Sequence, residues 1–404
     1  MKTQHHTPPK SSLSLTALSA ALVLTASAGC GDDPDTSRND PRCESAAPGC
    51  LARHEGCVFT DDGPVCEACP LGERPALPYG GCVEFTPTLS HTFGPFTLAA
   101  NEEKRGTCES WVLDNDEDIY VNLVESQTDG GFHHVVLFWV PEDFLGWPSG
   151  VWEDCYDNGF DEVTAAASGG VLMPTSTEVD DELQQKPPGT ALKIPPRSRI
   201  IAAMHMMNGP ETRTTSLRLK LGTALASEVE VALAPSQLVI PTISIPGDGP
   251  SVFTGSCDID AKYREFTGGS PLDLEVHGFV PHVHPALTSM EIKVVGGPED
   301  GRTLVALGPY EPVTLGHVFD PPVDLAGATG LSVTCSYDPD LANDPSWGNG
   351  YEYKCESLVL VDSVMAFAGV VAPTPETPPA GVDGIREWPC QVLAFPYPPV
   401  APER

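Results

Sequence analysis

The chain has 404 residues, with 22 Lys and Arg against 56 Asp and Glu, giving a formal net charge of −34. That balance argues against nucleic acid and anionic membrane surfaces as partners, because like charges repel. Its 42 prolines, 38 glycines and 13 cysteines are the composition of a turn-rich, cross-linked β protein.

The first predicted element is an export signal. Lys2 and Lys10 precede an apolar run, LSLTALSAALVLTASAG (13–29). The run is too short and too rich in Ser, Thr and Ala for a membrane-spanning helix, but it matches a signal h-region. Ser27, Ala28 and Gly29 ahead of Cys30 look like a bacterial lipobox, which makes Cys30 the lipidated first residue of the mature protein. An ordinary secretory signal cleaved nearby is the alternative. Residues 1–29 are thus read as a signal peptide, and 30–42, with GDDPDTSRNDPR (31–42), as a polar, acidic, disordered tether. The expected location is the bacterial cell envelope, with membrane contact only through the lipid anchor.

Export explains the cysteines. Setting Cys30 aside leaves twelve of the 13, an even number for an oxidising compartment and hence a disulfide framework. Cys43, Cys50, Cys57, Cys66, Cys69 and Cys82 crowd into a small module over 43–88. Cys66 and Cys69 form a CxxC, but no second CxxC or histidine pair is spaced around it for zinc, so disulfides are the reading there. This module is also where a protein partner is expected.

From about 89 the texture changes to short β-branched runs, such as IYVNLVE (119–125), HHVVLFWV (133–140), EVEVALA (228–234), MEIKVVG (290–296) and GLSVTCSY (330–337). Several alternate with period two, as strands with one buried face do. The chain is too long for one hydrophobic core. We therefore expect two β-sandwich domains, 89–234 and 235–372, dividing near PSQLVIPTISIPGDGPS (235–251), and a Pro-rich tail over 373–404 that Cys390 pins back.

Five of the 11 histidines fall in three tight contexts. His282 and His284 flank Val283 at a strand end, and side chains at i and i+2 share one face, so two imidazoles can converge on one ion. Two polar residues on a solvent face would look the same. His133 and His134 are adjacent, so a regular strand sends them to opposite faces. Joint coordination needs a bulge, which the preceding Gly130 and Gly131 would allow. His205 lies among Met204, Met206 and Met207, where a core histidine is the plainer reading. No HExxH, GxSxG or P-loop competes with these residues.

The chain order HHVVLF (133–138), HMMNGP (205–210), HVHPALTSMEIKV (282–294) and CSYDPDLANDPSWGNGYEYKC (335–355) resembles the copper type II, ascorbate-dependent monooxygenases, the family of peptidylglycine α-hydroxylating and dopamine β-monooxygenases. The likeness covers about 95–372. It implies two jelly-roll-like β-sandwiches in tandem, with a copper on each, facing one another across a solvent cleft. His133, His134 and His205 would hold the first copper, fed by ascorbate or another one-electron reductant. His282 and His284 would hold the second, where O2 is activated and a C–H bond of a small organic or peptide-like substrate is hydroxylated. The resemblance also implies the disulfides Cys108–Cys155 and Cys335–Cys355, leaving Cys257 with Cys390.

One departure is serious. The family's second copper takes a Met from an EMC segment as its third protein ligand, whereas Tyr353 and Lys354 precede Cys355 here. A lysine with an ordinary pKa of about 10.4 is an ammonium that repels copper. Either another group completes the site, with Met290 or Met365 suggested by composition, or the site is weakened. The alternative function is thus a catalytically degenerate copper-binding or structural surface lipoprotein of the same fold. A third reading is an adhesin-like protein whose histidines are incidental.

Overall fold

The computed structural model describes residues 41–43, 46, 50, 55–69, 73–75, 81–147, 150–177, 179–243, 250–284, 286–310, 316–338, 353–372 and 385–397. The signal peptide, Cys30 and all but the end of the tether lie outside these residues. The described chain is nearly all β, as the period-two runs dictate, with two short α-helices at Glu162–Ser168 and Ile259–Thr267.

In the small module, β1 (Glu55–Thr60) and β2 (Gly63–Ala68) form a hairpin, and β3 (Glu73–Pro75) pairs with β4 (Cys82–Glu84). Its core is largely sulfur. Cys43–Cys57, Cys50–Cys66 and Cys69–Cys82 are disulfides, so the two halves of the CxxC belong to different bridges.

The first sandwich holds β5 (Leu89–Leu98), β6 (Glu103–Val112), β7 (Ile119–Thr128), β8 (Phe132–Val140), β9 (Val151–Trp152), β10 (Gly170–Pro174), β11 (Asp181–Gln185), β12 (Thr190–Ile194), β13 (Arg199–Met207), β14 (Arg213–Ala224) and β15 (Val231–Ala232). One sheet has the order β10-β8-β13-β6-β9. The other runs β15-β12-β7-β14-β5, with β11 paired to β7. Cys108 on β6 is bridged to Cys155 beyond β9.

The second sandwich holds β16 (Ala234–Ile243), β17 (Ser251–Asp258), β18 (Glu275–Val283), β19 (Leu287–Val295), β20 (Thr303–Leu307), β21 (His317–Asp324), β22 (Gly330–Tyr337), β23 (Tyr353–Asp362), β24 (Met365–Val371), β25 (Ile385–Glu387) and β26 (Cys390–Pro396). Its sheets run β21-β18-β23-β16-β24-β26 and β20-β19-β22-β17-β25. Cys335 on β22 and Cys355 on β23 bridge the two sheets across the sandwich.

The segment read as a Pro-rich tail contains two of these strands, so the second sandwich extends beyond 372. Strand β25 pairs parallel with β17, and β26 pairs antiparallel with β24. Cys390 is bridged to Cys257, and the Trp388 ring packs on Phe253 at 5.3 Å. Prolines around CQVLAFP mask a strand whose backbone pairing is intact, because β26 lies at a sheet edge, where proline is tolerated. Tyr397 then reaches back to the first sandwich, where its hydroxyl accepts the Lys193 backbone N–H at 3.2 Å.

The sheet carrying β8, β10 and β13 faces the sheet carrying β16, β18 and β23. Contact is close at Gly170, where a Cβ would stand 2.7 Å from the Pro235 ring. Buried apolar side chains continue through both sandwiches without a break.

Candidate metal centre

Strand register explains how adjacent histidines come to act together. Between β13 and β8, His205 pairs with His134 but Met206 pairs with Phe132, which leaves His133 as an extra, bulged residue. On the other side of β13, Met204 pairs with Thr107 and His205 with Arg105, so Gly106 is the extra residue of β6. Gly106 has φ +69°, and a Cβ there would overlap the Tyr156 ring. Two bulges thus flank His205, re-aiming side chains as bulges beside functional sites do. Ring nitrogens of His133, His134 and His205 lie within 4.8 Å of one another.

The second set is simpler. His282 and His284 point to one face at the end of β18, with Nε2 atoms 3.1 Å apart. That is the spacing of two ligands each about 2.0–2.1 Å from one first-row ion, subtending roughly 100° at it. The Thr175 carbonyl accepts from His282 Nδ1 at 3.0 Å. Since a carbonyl only accepts, the proton sits on Nδ1 and the Nε2 lone pair is turned inward, the usual orientation of a metal-binding histidine. Thr177 Oγ1 donates to the Val283 carbonyl at 3.2 Å. The Ser176 N–H between them donates to buried Glu182 at 2.5 Å, and Gln184 Nε2 steadies the same carboxylate at 2.9 Å. A loop of the first sandwich therefore fixes the histidines of the second.

The resemblance implied two sites across a solvent cleft. The structure instead gathers all five histidines into one buried cluster between the sandwiches. His134 belongs to both triads, with a ring nitrogen within 4.8 Å of those of His282 and His284 as well as of His133 and His205. Ring centroids are 5.0 Å apart for His134 and His282, and 5.4 Å for His133 and His284. All five are at most 8 % exposed.

Burial sets the charge state. Loss of water, and then the nearness of His205 and His282, push the His133 pKa down to about 3. Burial and the same kind of crowding hold His134 well below its ordinary value. Both are neutral at pH 7, the form that ligates metal. Glu103 Oε1 meets His205 Nε2 at 2.9 Å and Arg105 Nε at 2.7 Å. Burial pulls the Glu103 carboxyl up, but hydrogen bonds from Arg105 and His205 outweigh it and its pKa is lowered.

The residues fit a copper ion: five clustered imidazoles, with His133 and His134 held neutral by burial, and a buried His134 Nδ1 without a hydrogen-bond partner among the described residues. The suggested thioethers do not reach it. His282, Glu356, Val239 and Val370 form one row across the sheet, and Met365 is five residues from Val370, about 17 Å along the strand. Met290 pairs with Cys335 in the opposite sheet. Cys335 is bridged to Cys355, the partner of Val283, and Val283 points away from His282 and His284. Met290 therefore lies on the wrong side of the sheet. Lys354 is in β23, and its side chain is outside the described set.

A cavity of about 360 Å3 opens beside His134 and His205, walled by Val136, Phe160, Val239 and Leu358, with Arg105 and Glu162 at its edge. Glu103, Gly106, Thr175 and Glu182 were missed by sequence reading. Each acts through a sheet pairing or a loop contact that leaves no local motif.

No family model and no curated protein matches the chain. Among solved structures, the major capsid protein P2 from bacteriophage PM2 is 9% identical, aligning 68% of this chain and 97% of that one with a TM-score of 0.25. The PBSX exported protein XepA is also 9% identical, over 69% of this chain and 90% of that one, with a TM-score of 0.19. At such scores neither bears on function. The six disulfides among the described residues are those of a chain exported to an oxidising compartment.

Proposed function

We propose that this chain is an exported, copper-dependent monooxygenase, anchored in the bacterial envelope by lipid on Cys30. The observation that carries the reading is the gathering of His133, His134, His205, His282 and His284 into two buried triads that share His134, beside a cavity. Bound copper would relay single electrons from an ascorbate-type reductant, so that R–H, O2, two electrons and two protons give R–OH and water. The chain's own residues do the rest. Thr175 holds the proton on His282 Nδ1 and keeps Nε2 inward. The apolar part of the cavity wall would seat the C–H end of a small organic or peptide-like substrate, while Arg105 and Glu162, which also line it, offer polar contacts.

A second reading is favoured by the single compact cluster and by the distance of Met290 and Met365 from it: a copper-binding surface lipoprotein without oxygen chemistry. Copper titration of the reduced and oxidised protein separates the two, with oxygen uptake followed in the presence of ascorbate and candidate substrates. The enzyme reading expects two bound coppers and substrate-dependent uptake. Copper bound without uptake leaves the second reading, and no copper bound removes both.

A further inference from the structure

We propose a second metal site, for a divalent ion of the Mn2+–Zn2+ kind, formed by Glu275, His277 and Asp362 at the far end of β18. A ring nitrogen of His277 and a carboxylate oxygen of each acid all lie within 4.8 Å of one another. His277 and His282 share β18 but are five residues apart, about 17 Å at the strand rise, so this site is separate from the five-histidine cluster.

Register builds the site. Glu275 pairs with Asp362 on β23 and with Asp324 on β21, placing three acids in one row across three strands. Like charges directly opposite one another destabilise a sheet, and among the described residues none of the three makes an ion pair. Val276 pairs with Val361 and Gly278 with Leu360, so His277 is the extra residue of a bulge. Gly278 makes that bulge affordable to the backbone: a Cβ there would stand 2.6 Å from the His317 carbonyl oxygen.

The second observation is His277 itself. It is 6 % exposed, and its Nε2 is buried without a hydrogen-bond partner among the described residues. Leaving a buried imidazole nitrogen unsatisfied destabilises the fold, and metal coordination would offset that. The two acids are exposed, so an ion can enter from solvent and keep water in its remaining positions. One imidazole with two carboxylates is a harder donor set than the five histidines and suits Mn2+ or Zn2+ over copper.

Mn2+ is the discriminating probe, titrated into the full chain while the EPR signal of the free aqua ion is followed. One Mn2+ should bind per chain in the wild type and in the His282→Ala/His284→Ala variant. His277→Ala should weaken binding at least tenfold, and so should Glu275→Gln/Asp362→Asn, whose near-isosteric changes on exposed side chains spare the fold. No Mn2+ bound by the wild type would overturn the proposal. So would binding unchanged in Glu275→Gln/Asp362→Asn, or binding lost only in the His282→Ala/His284→Ala variant.

Discussion

In the first sandwich, His133 and His134 reach His205 because β8 carries an extra residue and β6 turns at Gly106. In the second, His282 and His284 reach a common point simply by alternation along a strand end. Strand periodicity suffices where ligands stand two apart. Adjacent ligands are accompanied here by distortions in the two strands that flank β13, one of them at a distant glycine. The first set is therefore built by backbone irregularity. The second is regular and is held instead by hydrogen bonds from across the interface.

His134 is where the two constructions meet, so its removal should have the largest effect. His134→Ala should abolish binding of both coppers, measured by metal analysis after dialysis. His282→Ala/His284→Ala should lose one copper and leave the other on His133, His134 and His205. Retention of two coppers by His134→Ala would show that the triads are independent.

Acid should act next most strongly. The His133 pKa is depressed from an ordinary 6.5 to about 3, so folding favours its neutral form. That contribution is fully present above pH 6.5 and is lost as the pH falls towards 3. The metal-free protein should thus lose about 3 kcal/mol from this residue between pH 6.5 and 4, read as a falling Tm in circular dichroism. His133→Gln should flatten that slope, and an unchanged slope would place the acid sensitivity elsewhere.

Gly106→Val tests the bulge. Gly106 has φ +69° and lies under the Tyr156 ring, and a branched residue at positive φ costs about 1–3 kcal/mol before any clash. Thermal unfolding should record that loss, and copper affinity should fall at the first triad while the His282 and His284 end keeps its ion. Equal losses at both ends would mean that the bulge stabilises the whole interface.

Much of the frame was legible in the sequence because it rests on local patterns. Period-two runs gave the strands, and an even cysteine count gave the disulfide framework. The histidine segments were visible as types, and the HxH even as a shared face. Their union was not, since it depends on how one sheet faces another. The strand β26 was hidden by the prolines around it, and Glu103 and Thr175 reach His205 and His282 only through pairings between distant segments. His277 gave no signal at all, because a lone histidine between Val276 and Gly278 becomes notable only when the register exposes a bulge opposite two acids.

The smallest effect tests how firmly the first sandwich holds the ligands of the second. Thr177 Oγ1 donates to the Val283 carbonyl, next to both His282 and His284. Thr177→Val keeps the shape and removes one neutral hydrogen bond, worth about 1 kcal/mol. Second-sphere contacts commonly tune metal affinity about tenfold or more, but this one acts on the backbone between the ligands and should cost only a few-fold. The Cu(II) EPR spectrum should show that loss in the population that His282→Ala/His284→Ala abolishes, with the other signal unmoved. An equal change in both signals would mean that the five histidines respond as one unit, and the division between a bulged set and a regular set would then describe how they are built but not how they bind.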